Sequence, residues 1–396
     1  MIATITRSIP WLTGVWSYCA WFCGRALWTS SPVRSASTIK SICVIQPNAL
    51  GDTLMVTPLL QALVDAVGPG RVDVVVAARS AELLRNVPGL GRLITVQRHL
   101  RWRDFGSILE FVRVLREVRA RRYDVIVDLS RILQFSWMTF LAAPRRSIGV
   151  QVARQMGPWS VERLEFLYID EVAVPPGQHM IHEYLALLQP LGIRTASDRM
   201  IFVPTESERQ AAQHWLSDYG LVPHRPYVVI HPSGKWPPKR WHPERFRQLT
   251  QRLRLQGLSI VLAGDAQDRS LLTSIAQGSE SAVAILAGDL SLGAVGALIE
   301  GASLFIGNDS VLMHMASAVD TPLIALFGPT VPHHTGPLSI SDRVIAKPID
   351  CRPCQLYFTQ DRCERGRNYC MDLIEVDDVA RAAEALLGRT KCALAG

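Results

Sequence analysis

Three loops of this 396-residue chain combine small residues with charged side chains at the starts of predicted helices. The first loop, residues 47–53 (PNALGDT), follows an apolar run and carries Gly51 and Asp52. A helix N-terminus stabilises an ionised carboxylate, and a general base must be ionised to accept a proton. Asp52 is therefore a candidate general base, with helix capping as the simpler alternative.

The second loop, residues 231–241 (HPSGKWPPKRW), follows another predicted strand. Small residues expose backbone N–H groups and the cations supply positive charge, a combination that suits a diphosphate. The GxxxxGK[ST] pattern of a P-loop is missing, and no GxGxxG follows a strand, which argues against a dinucleotide-binding dehydrogenase. The candidate ligand-binding residues of this loop are Ser233, Gly234, Lys235, Lys239 and Arg240.

The third loop lies within residues 304–330 (LFIGNDSVLMHMASAVDTPLIALFGPT). A short apolar run precedes Asp309 and Ser310, and a helical pattern that contains His314 follows them. Because a helix N-terminus favours phosphate, an aspartate at this point would bring two anions together. Asp309 is then either a ligand for another part of a substrate or only a helix cap. His231 and His314 could equally be buried, hydrogen-bonded histidines.

Strands and helices alternate along the chain, which predicts an α/β fold with two Rossmann-like domains and mostly parallel sheets. Open sheets of this kind bind ligands beyond the carboxyl ends of their strands, so we expect the two domains to face each other across a cleft. We predict a basic, Trp-rich segment (1–40), a first domain (41–205) and a second domain (206–396). The first domain should contain strands at 42–45, 72–77, 93–96, 125–127 and 145–149, helices at 53–66, 80–86 and 104–122, and an irregular connection from 150 to 205. The second should contain helices at 207–219, 243–255, 267–277, 292–300 and up to 320, and strands at 227–230, 259–262, 283–286, 304–306 and 323–327.

The composition indicates a well-packed globular protein with an anionic partner. Hydrophobic residues make up 48% of the chain and charged residues 19%, while the net charge is +7 and the pI about 9.1. A basic balance of this size favours a nucleotide, a phosphorylated glycan or an anionic lipid. No zinc-finger, homeodomain-arm or RNP pattern is present, so nucleic acid is not expected as a partner.

Two basic stretches suggest contact with a membrane. Residues 8–24 carry no charge and contain Trp11, Trp16 and Trp21 between Arg7 and Arg25, a composition typical of a segment at a membrane interface. The predicted helix 104–122 adds a strip of arginines. The alternatives are an N-terminal helix packed on the protein and an ordinary solvated helix face. Because a chain of this length needs no disulfides, we expect a cytoplasmic protein with peripheral contact to the inner membrane.

Four of the eight cysteines lie close together, within residues 351–370. Their number is that of a zinc site, but the second pair is spaced more widely than in a zinc ribbon. A structural metal site, reduced thiols and disulfides all remain open. The four residues are Cys351, Cys354, Cys363 and Cys370.

The chain resembles glycosyltransferase family 9, the ADP-heptose:lipopolysaccharide heptosyltransferases, over about residues 42–385. Four segments in the same order carry the resemblance: LGD at 50–52, HPSGKWPPKRW at 231–241, AGD at 263–265, and NDSVLMHMA at 308–316 with the following FGPT. The resemblance implies a GT-B fold with the acceptor mainly on the first domain and the nucleotide-sugar donor on the second. It also implies inverting transfer without a metal or other cofactor, to an anionic glycan or lipid-linked acceptor.

The resemblance also assigns roles to individual residues. Asp52 matches the proposed general base and Lys239 the lysine that offsets charge on the departing diphosphate. The donor-side positions that match the family are Ser233, Gly234, Asp309, Ser310 and His314. Lys235 and Gln267 are further candidates on the donor side, and Asn48 and Gly51 are the candidates on the acceptor side.

Two residues depart from the family pattern. Val311 replaces the glycine that usually follows ND[ST], and Gln267 replaces an acidic residue that often contacts the donor ribose. The sequence thus predicts a glycosyltransferase that uses a nucleotide sugar, most simply ADP-heptose. The alternative is a non-catalytic or divergent relative that binds a sugar nucleotide or glycan.

Overall fold

The computed structural model describes residues 38–97, 105–151, 168–175, 177–195, 197–221, 226–279, 283–339, 341–354, 363 and 365–394. The predicted membrane-interface segment, within residues 1–40, lies outside this description except for residues 38–40. The chain forms two compact units. Unit 1 contains the chain up to Ala81 and Pro88–Asp198, and unit 2 contains Glu82–Val87 and everything from Arg199 onwards.

Unit 1 is built on a six-stranded sheet in the order β3-β2-β1-β4-β5-β6, and all its strand pairs are parallel. β1 lies in the middle, with Ile42 beside Val72 on one side and Val125 on the other. In chain order the elements up to Asp198 are β1 Ile42–Gln46, α1 Leu50–Met55, α2 Thr57–Val67, β2 Val72–Ala77, α3 Ala81–Leu84, β3 Leu93–Val96, α4 Phe105–Ala120, β4 Val125–Asp128, α5 Leu133–Ala142, β5 Arg146–Gln151, β6 Asp170–Ala173 and α6 Met180–Ala186. All belong to unit 1 except α3, which lies in unit 2 from Glu82 onwards.

Unit 2 repeats the same architecture, with the order β12-β11-β10-β7-β8-β9 and parallel pairing throughout. The elements are α7 Glu206–Asp218, β7 Tyr227–His231, α8 Pro243–Leu255, β8 Ser259–Gly264, α9 Arg269–Ala276, β9 Val283–Ala287, α10 Leu292–Glu300, β10 Leu304–Asn308, α11 Val311–Ala318, β11 Leu323–Leu326, α12 Pro332–Thr335, β12 Arg343–Ile345, α13 Tyr369–Asp372 and α14 Val376–Leu394.

The two α/β units with parallel sheets confirm the predicted fold class. In each sheet the second and third strands of the chain lie on one side of the first strand, and the later strands lie on its other side. The direction in which strands are added therefore reverses between β1 and β4 in unit 1, and between β7 and β10 in unit 2. At such a switch point the loops that leave two neighbouring strands diverge and leave a crevice, which is where open α/β sheets bind ligands.

Burial explains why the apolar runs form the central strands. Every residue of β1, β2, β7 and β10 is buried, as expected for parallel strands covered by helices on both faces. Leu50–Val67 is the one stretch of the described residues that is long and apolar enough to cross a membrane, and 67% of it is buried within the protein. It therefore belongs to the core of unit 1.

The structure corrects several predicted elements. The helix predicted at 53–66 begins at Leu50 and is divided at Val56. The connection predicted to be irregular from 150 contains β6 and α6, and α5 and α14 were not predicted. The units divide at Asp198, whereas the sequence suggested a boundary at 205.

Candidate active site

The loops of residues 231–241 and 308–310 leave the sheet of unit 2 at its switch point. His231 ends β7 and pairs with Gly307 of β10, so the residues that follow these two strands begin side by side. Two positions further along each chain segment, Ser233 and Asp309 are 1% and 7% exposed. Two loops far apart in sequence therefore meet at the edge where a ligand is expected.

Lys239 and Asp309 form the ionic centre of this site. Lys239 Nζ lies 2.7 Å from Asp309 Oδ2, and their side chains are 17% and 6% exposed. Thr330 donates a second hydrogen bond to the same oxygen, over 2.8 Å. The sequence left open whether Asp309 is only a helix cap; that interpretation is wrong, because Ser310 is the N-cap of α11 and the Asp309 carboxylate bonds Lys239 and Thr330.

Asn308, fully buried at the end of β10, joins the two loops. Its Nδ2 donates to Pro232 O over 2.9 Å and to Ser233 O over 3.2 Å. Its Oδ1 accepts the Trp241 backbone N–H over 3.1 Å. One side chain thus fixes both ends of the loop that carries Lys239.

Two hydroxyl groups in these loops lack a hydrogen-bond partner among the described residues. The Oγ atoms of Ser233 and Ser310 are buried and bond no other described residue. A buried hydroxyl without a partner is costly, so a ligand that accepts these hydrogen bonds would be favoured. Gly234 borders open space, since a methyl group added to its Cα would meet nothing within 4 Å. The arrangement fits an anion with several oxygen atoms, such as a diphosphate.

His231 is held in one tautomer. Its Nδ1 lies 2.8 Å from Ala263 O. A carbonyl oxygen can only accept a hydrogen bond, so Nδ1 carries the proton, and in the neutral ring Nε2 is the nitrogen that can accept one. Burial lowers the pKa of His231, so the ring is neutral near pH 7. The interpretation of His231 as a buried, hydrogen-bonded histidine is confirmed. His314, on α11, is also buried, with 4% exposure.

Two predicted donor-side residues, Lys235 and Gln267, are exposed. Gln267 lies in the turn after β8, where its backbone N–H donates to Asp265 Oδ1 over 2.8 Å. Asp265 N–H in turn donates to Asp268 Oδ2 over 3.1 Å. The structure thus joins Lys239 to Asp309 by a direct contact but shows no such contact for the Gln267 side chain.

Asp52 lies at the corresponding place in unit 1, in the loop that follows the central strand β1. It is the third residue of α1, and its Oδ2 accepts the backbone N–H of Ala49 over 3.2 Å. The N-cap residue of α1 is Ala49, so Asp52 is not itself the N-cap. The Asp52 side chain nevertheless contributes to capping, because it accepts the backbone N–H of Ala49 from within the first turn of the helix. The carboxylate is partly exposed, as a base that must meet a substrate requires.

Polar side chains beneath the surface hydrogen-bond to the Asp52 loop and to one another. Gln46 Nε2 donates to Tyr184 Oη over 3.1 Å and to the Asp52 carbonyl oxygen over 3.4 Å. The predicted acceptor-side residue Asn48 donates to Gln46 Oε1 over 3.1 Å, while Gly51 is partly exposed within α1. Burial raises the pKa of Tyr184, and the negative charge of Asp52 raises it further, so the phenol stays protonated.

Asp128 ends β4, on the other side of the unit 1 switch point. It is 2% exposed, and its carboxylate accepts from the Ser130 N–H over 2.8 Å and from Tyr168 Oη over 2.8 Å. Burial raises the pKa of Asp128, although these hydrogen bonds oppose the shift. It pairs with Ile45 of β1, so it lies at the carboxyl edge of the sheet beside the strand that leads into the Asp52 loop.

The cysteine segment packs against the loop that carries Thr330. Cys354 N–H donates to Pro329 O over 3.3 Å, and a methyl group on Gly328 would lie 3.2 Å from Cys370 Sγ. None of the four cysteines forms a disulfide with another described residue, and burial together with nearby Cys354 raises the pKa of Cys370 to about 11. Within the described ranges no group of three or more His, Cys, Asp or Glu side chains is placed to hold a metal ion.

Sequence reasoning missed three polar residues of these sites: Thr330, Asn308 and Tyr184. Thr330 follows β11 and Asn308 ends β10, so the rule that neighbouring parallel strands end at one edge could have found both. Tyr184 gave no signal, because it belongs to a helix in the part of the chain that was expected to be irregular.

Two units with the same Rossmann-type strand order, together with the similarity of the whole fold to a solved heptosyltransferase, make this chain a glycosyltransferase of the GT-B fold. The chain belongs to glycosyltransferase family 9 (heptosyltransferase), whose profile matches residues 111–363.

Individual relatives agree with this assignment. Lipopolysaccharide heptosyltransferase 3 of Escherichia coli is 28% identical over 355 residues, which cover 85% of this chain and 96% of the relative. Lipopolysaccharide heptosyltransferase 2 of Salmonella typhimurium is 28% identical over 313 residues, 77% of this chain and 87% of the relative. The solved E. coli ADP-heptose lps heptosyltransferase II has a TM-score of 0.69 at 25% identity and covers 89% of this chain and 99% of its own.

Proposed function

We propose that this glycosyltransferase transfers heptose from ADP-heptose to a lipopolysaccharide core or a related surface glycan. The observation that carries the proposal is the partly buried contact between Lys239 and Asp309 at the switch point of unit 2. The chemistry named for the relatives, heptosyl transfer to lipopolysaccharide, supports the choice of donor and acceptor.

The donor site suits the two halves of a nucleotide sugar. The Lys239 ammonium supplies positive charge for the diphosphate, and the Ser233 and Ser310 hydroxyls supply hydrogen bonds. The Asp309 carboxylate can accept hydrogen bonds from sugar hydroxyls while it keeps Lys239 in place. Because these groups can offset the charge of the leaving diphosphate, the proposed reaction needs no metal ion.

The proposed reaction is a single displacement with inversion. Asp52 accepts the proton of an acceptor hydroxyl as its oxygen attacks the anomeric carbon of the donor sugar. The bond between that carbon and the β-phosphate oxygen breaks, and ADP leaves with the electron pair. The Ala49 N–H bond fixes the Asp52 carboxylate for this task.

We further propose that the protein works in the cytoplasm, in peripheral contact with the inner membrane. The net charge of +7 supports this location, because phosphorylated glycolipids and the membrane surface are both anionic. Fractionation of cells that express the chain with and without residues 1–38 tests whether the N-terminal segment contributes. An unchanged distribution between membrane and soluble fractions would show that it does not.

A donor screen tests the proposed function directly. Purified protein is mixed with a heptose-deficient lipopolysaccharide acceptor and with ADP-heptose or with UDP-, GDP- or dTDP-sugars, and nucleotide release and product mass are measured. We expect ADP release and a heptose-sized mass increase with ADP-heptose alone. Turnover with another nucleotide sugar would contradict the donor assignment, and binding without turnover would favour the non-catalytic alternative.

A further inference from the structure

The outer side of α4 in unit 1 carries apolar and basic side chains in one row. Phe105, Leu109, Arg113 and Arg116 recur at spacings of four, four and three residues, which places them on one side of a helix. All four are exposed, whereas Phe111, Val114 and Val118 on the opposite side are buried. We call these four exposed residues the α4 stripe.

The apolar part of the α4 stripe is unusual for a helix surface. Phe105 is 73% exposed and Leu109 is 55% exposed, one turn apart at the start of the helix. Scattered apolar residues on a surface need no explanation, but two large neighbouring ones followed by cations have the composition of a membrane-interface helix.

The charge along the stripe is predominantly positive. Arg113 is 52% exposed and lies near Glu110 (3.7 Å) and Glu117 (3.5 Å). Glu110 is turned inwards, with 20% exposure, and its Oε1 also accepts the Gln97 N–H. Beyond this group, α4 and the two residues after it carry exposed arginines and no further acid. These arginines are Arg116, Arg119 and Arg122.

The position of α4 relates the stripe to the proposed site. α4 follows β3 and leads into β4, so its N-terminus, with Phe105, lies at the carboxyl edge of the unit 1 sheet. The loop that carries Asp52 leaves β1 at the same edge. A surface that contacts the stripe is therefore near the edge from which the acceptor is expected to be approached.

We propose that the α4 stripe docks on an anionic lipid bilayer, with Phe105 and Leu109 inserted at the level of the head groups and the arginines paired with lipid phosphates. A free phosphorylated glycan would use the arginines but would leave the phenyl and isobutyl groups in water, whereas a bilayer accommodates both kinds of side chain. The choice of a bilayer agrees with a lipid-linked acceptor and to that extent rests on the proposed function.

Vesicle binding tests this proposal without donor or acceptor, so it can fail independently of the proposed function. The full-length protein is sedimented with vesicles of phosphatidylethanolamine and phosphatidylglycerol, or of phosphatidylcholine alone. Variants F105S/L109S and R116Q remove the apolar and basic parts of the stripe. Controls are L255S, which changes a 90% exposed leucine in unit 2, and R381Q, which changes a 68% exposed arginine.

We expect F105S/L109S to weaken binding to anionic vesicles by about tenfold or more. R116Q should weaken it by about fivefold on anionic vesicles and leave binding to neutral vesicles unchanged. Both controls should bind like the unmodified protein. Unchanged anionic-vesicle binding by F105S/L109S would overturn the proposal. A second result would also overturn it: the unmodified protein is a dimer, F105S/L109S is a monomer, and both bind vesicles equally. The α4 stripe would then be an interface between two copies of the chain.

Discussion

Lys239 and Asp309, separated by 70 positions in the sequence, form a nearly buried ion pair at the point where the strand order of unit 2 reverses. Removing the charge of Lys239 while keeping an apolar chain tests what the pair does. We expect Lys239→Met to lower kcat/KM for sugar transfer by about 10²–10³-fold, because a cation placed at a leaving diphosphate contributes on this scale.

The matched control for Lys239→Met is Lys347→Met. Lys347 also forms a 2.7 Å ion pair in unit 2, with Asp378, but is 34% exposed and follows β12, which β11 separates from the switch point in the sheet. Its loss should change kcat/KM by less than about twofold. Equal effects of the two substitutions would indicate a general loss of stability instead of a lost contact with the donor.

Thr330 is expected to act by positioning Asp309. Thr330→Val keeps the shape of the side chain but removes the 2.8 Å hydrogen bond to Asp309 Oδ2. Hydrogen bonds to charged groups contribute about 1.5–3 kcal/mol, so the free energy of unfolding should fall by that amount. Transfer should slow about tenfold as Asp309 loses its orientation. Thr330→Ser should restore both quantities, and a Thr330→Ser variant as impaired as Thr330→Val would contradict the role of the hydroxyl.

Asn308 should contribute strongly to the stability of unit 2. Asn308→Leu has a similar volume but leaves two buried carbonyl oxygens and the Trp241 N–H without their partner. We expect urea denaturation to show a loss of about 3 kcal/mol or more. Asn86→Ala removes a single exposed bond to Val203 O and should cost less than about 1 kcal/mol. A similar loss in both variants would show that Asn308 has no special role in joining the loops.

Asp342 predicts a pH dependence of stability. Burial raises its pKa from 3.8 to about 6, although the Ser339 N–H and the Ser317 hydroxyl donate to it. The folded protein therefore binds this proton more tightly than the unfolded chain, so its contribution to stability falls as the pH rises from about 4 to about 6.

Asp342→Asn removes this proton-binding difference. Relative to the unmodified protein, the variant should be similar at pH 4 and more stable at pH 7.5, by about 1–3 kcal/mol. Chemical denaturation at the two pH values measures this difference. A variant that is stabilised equally at both values, or destabilised only at pH 7.5, would show that the carboxyl of Asp342 does not carry the dependence.

The strands and capped helices were predictable from the sequence because their signals are local. The apolar runs at 72–77 and 93–96 and the helices at 243–255 and 292–300 have the predicted bounds. α5 is apolar on all sides, so it lacks a helical period, and it ends at Ala143 in a left-handed conformation that glycine usually marks. Both signals that would have revealed this helix were therefore missing.

The site was predictable as a set of loops but not as a set of contacts. Local patterns indicated Asp52, Lys239 and Asp309 as polar residues at helix starts, and the family resemblance gave them roles. The direct pairing of Lys239 with Asp309 depends on β7 and β10 being neighbours in the sheet, which the strands' own residues do not reveal. For the same reason, the sequence could not show that Tyr184 supports the Asp52 loop from a helix more than 130 positions away.

The central claim, that Asp52 takes the acceptor proton during sugar transfer, is tested most directly by Asp52→Asn. ADP release and donor binding are measured for this variant with ADP-heptose and acceptor, beside Asp65→Asn, which changes an exposed aspartate on α2. We predict that Asp52→Asn lowers kcat by about 10²–10⁴-fold with donor affinity unchanged, and that Asp65→Asn behaves like the unmodified enzyme. Near-normal turnover by Asp52→Asn would contradict the account.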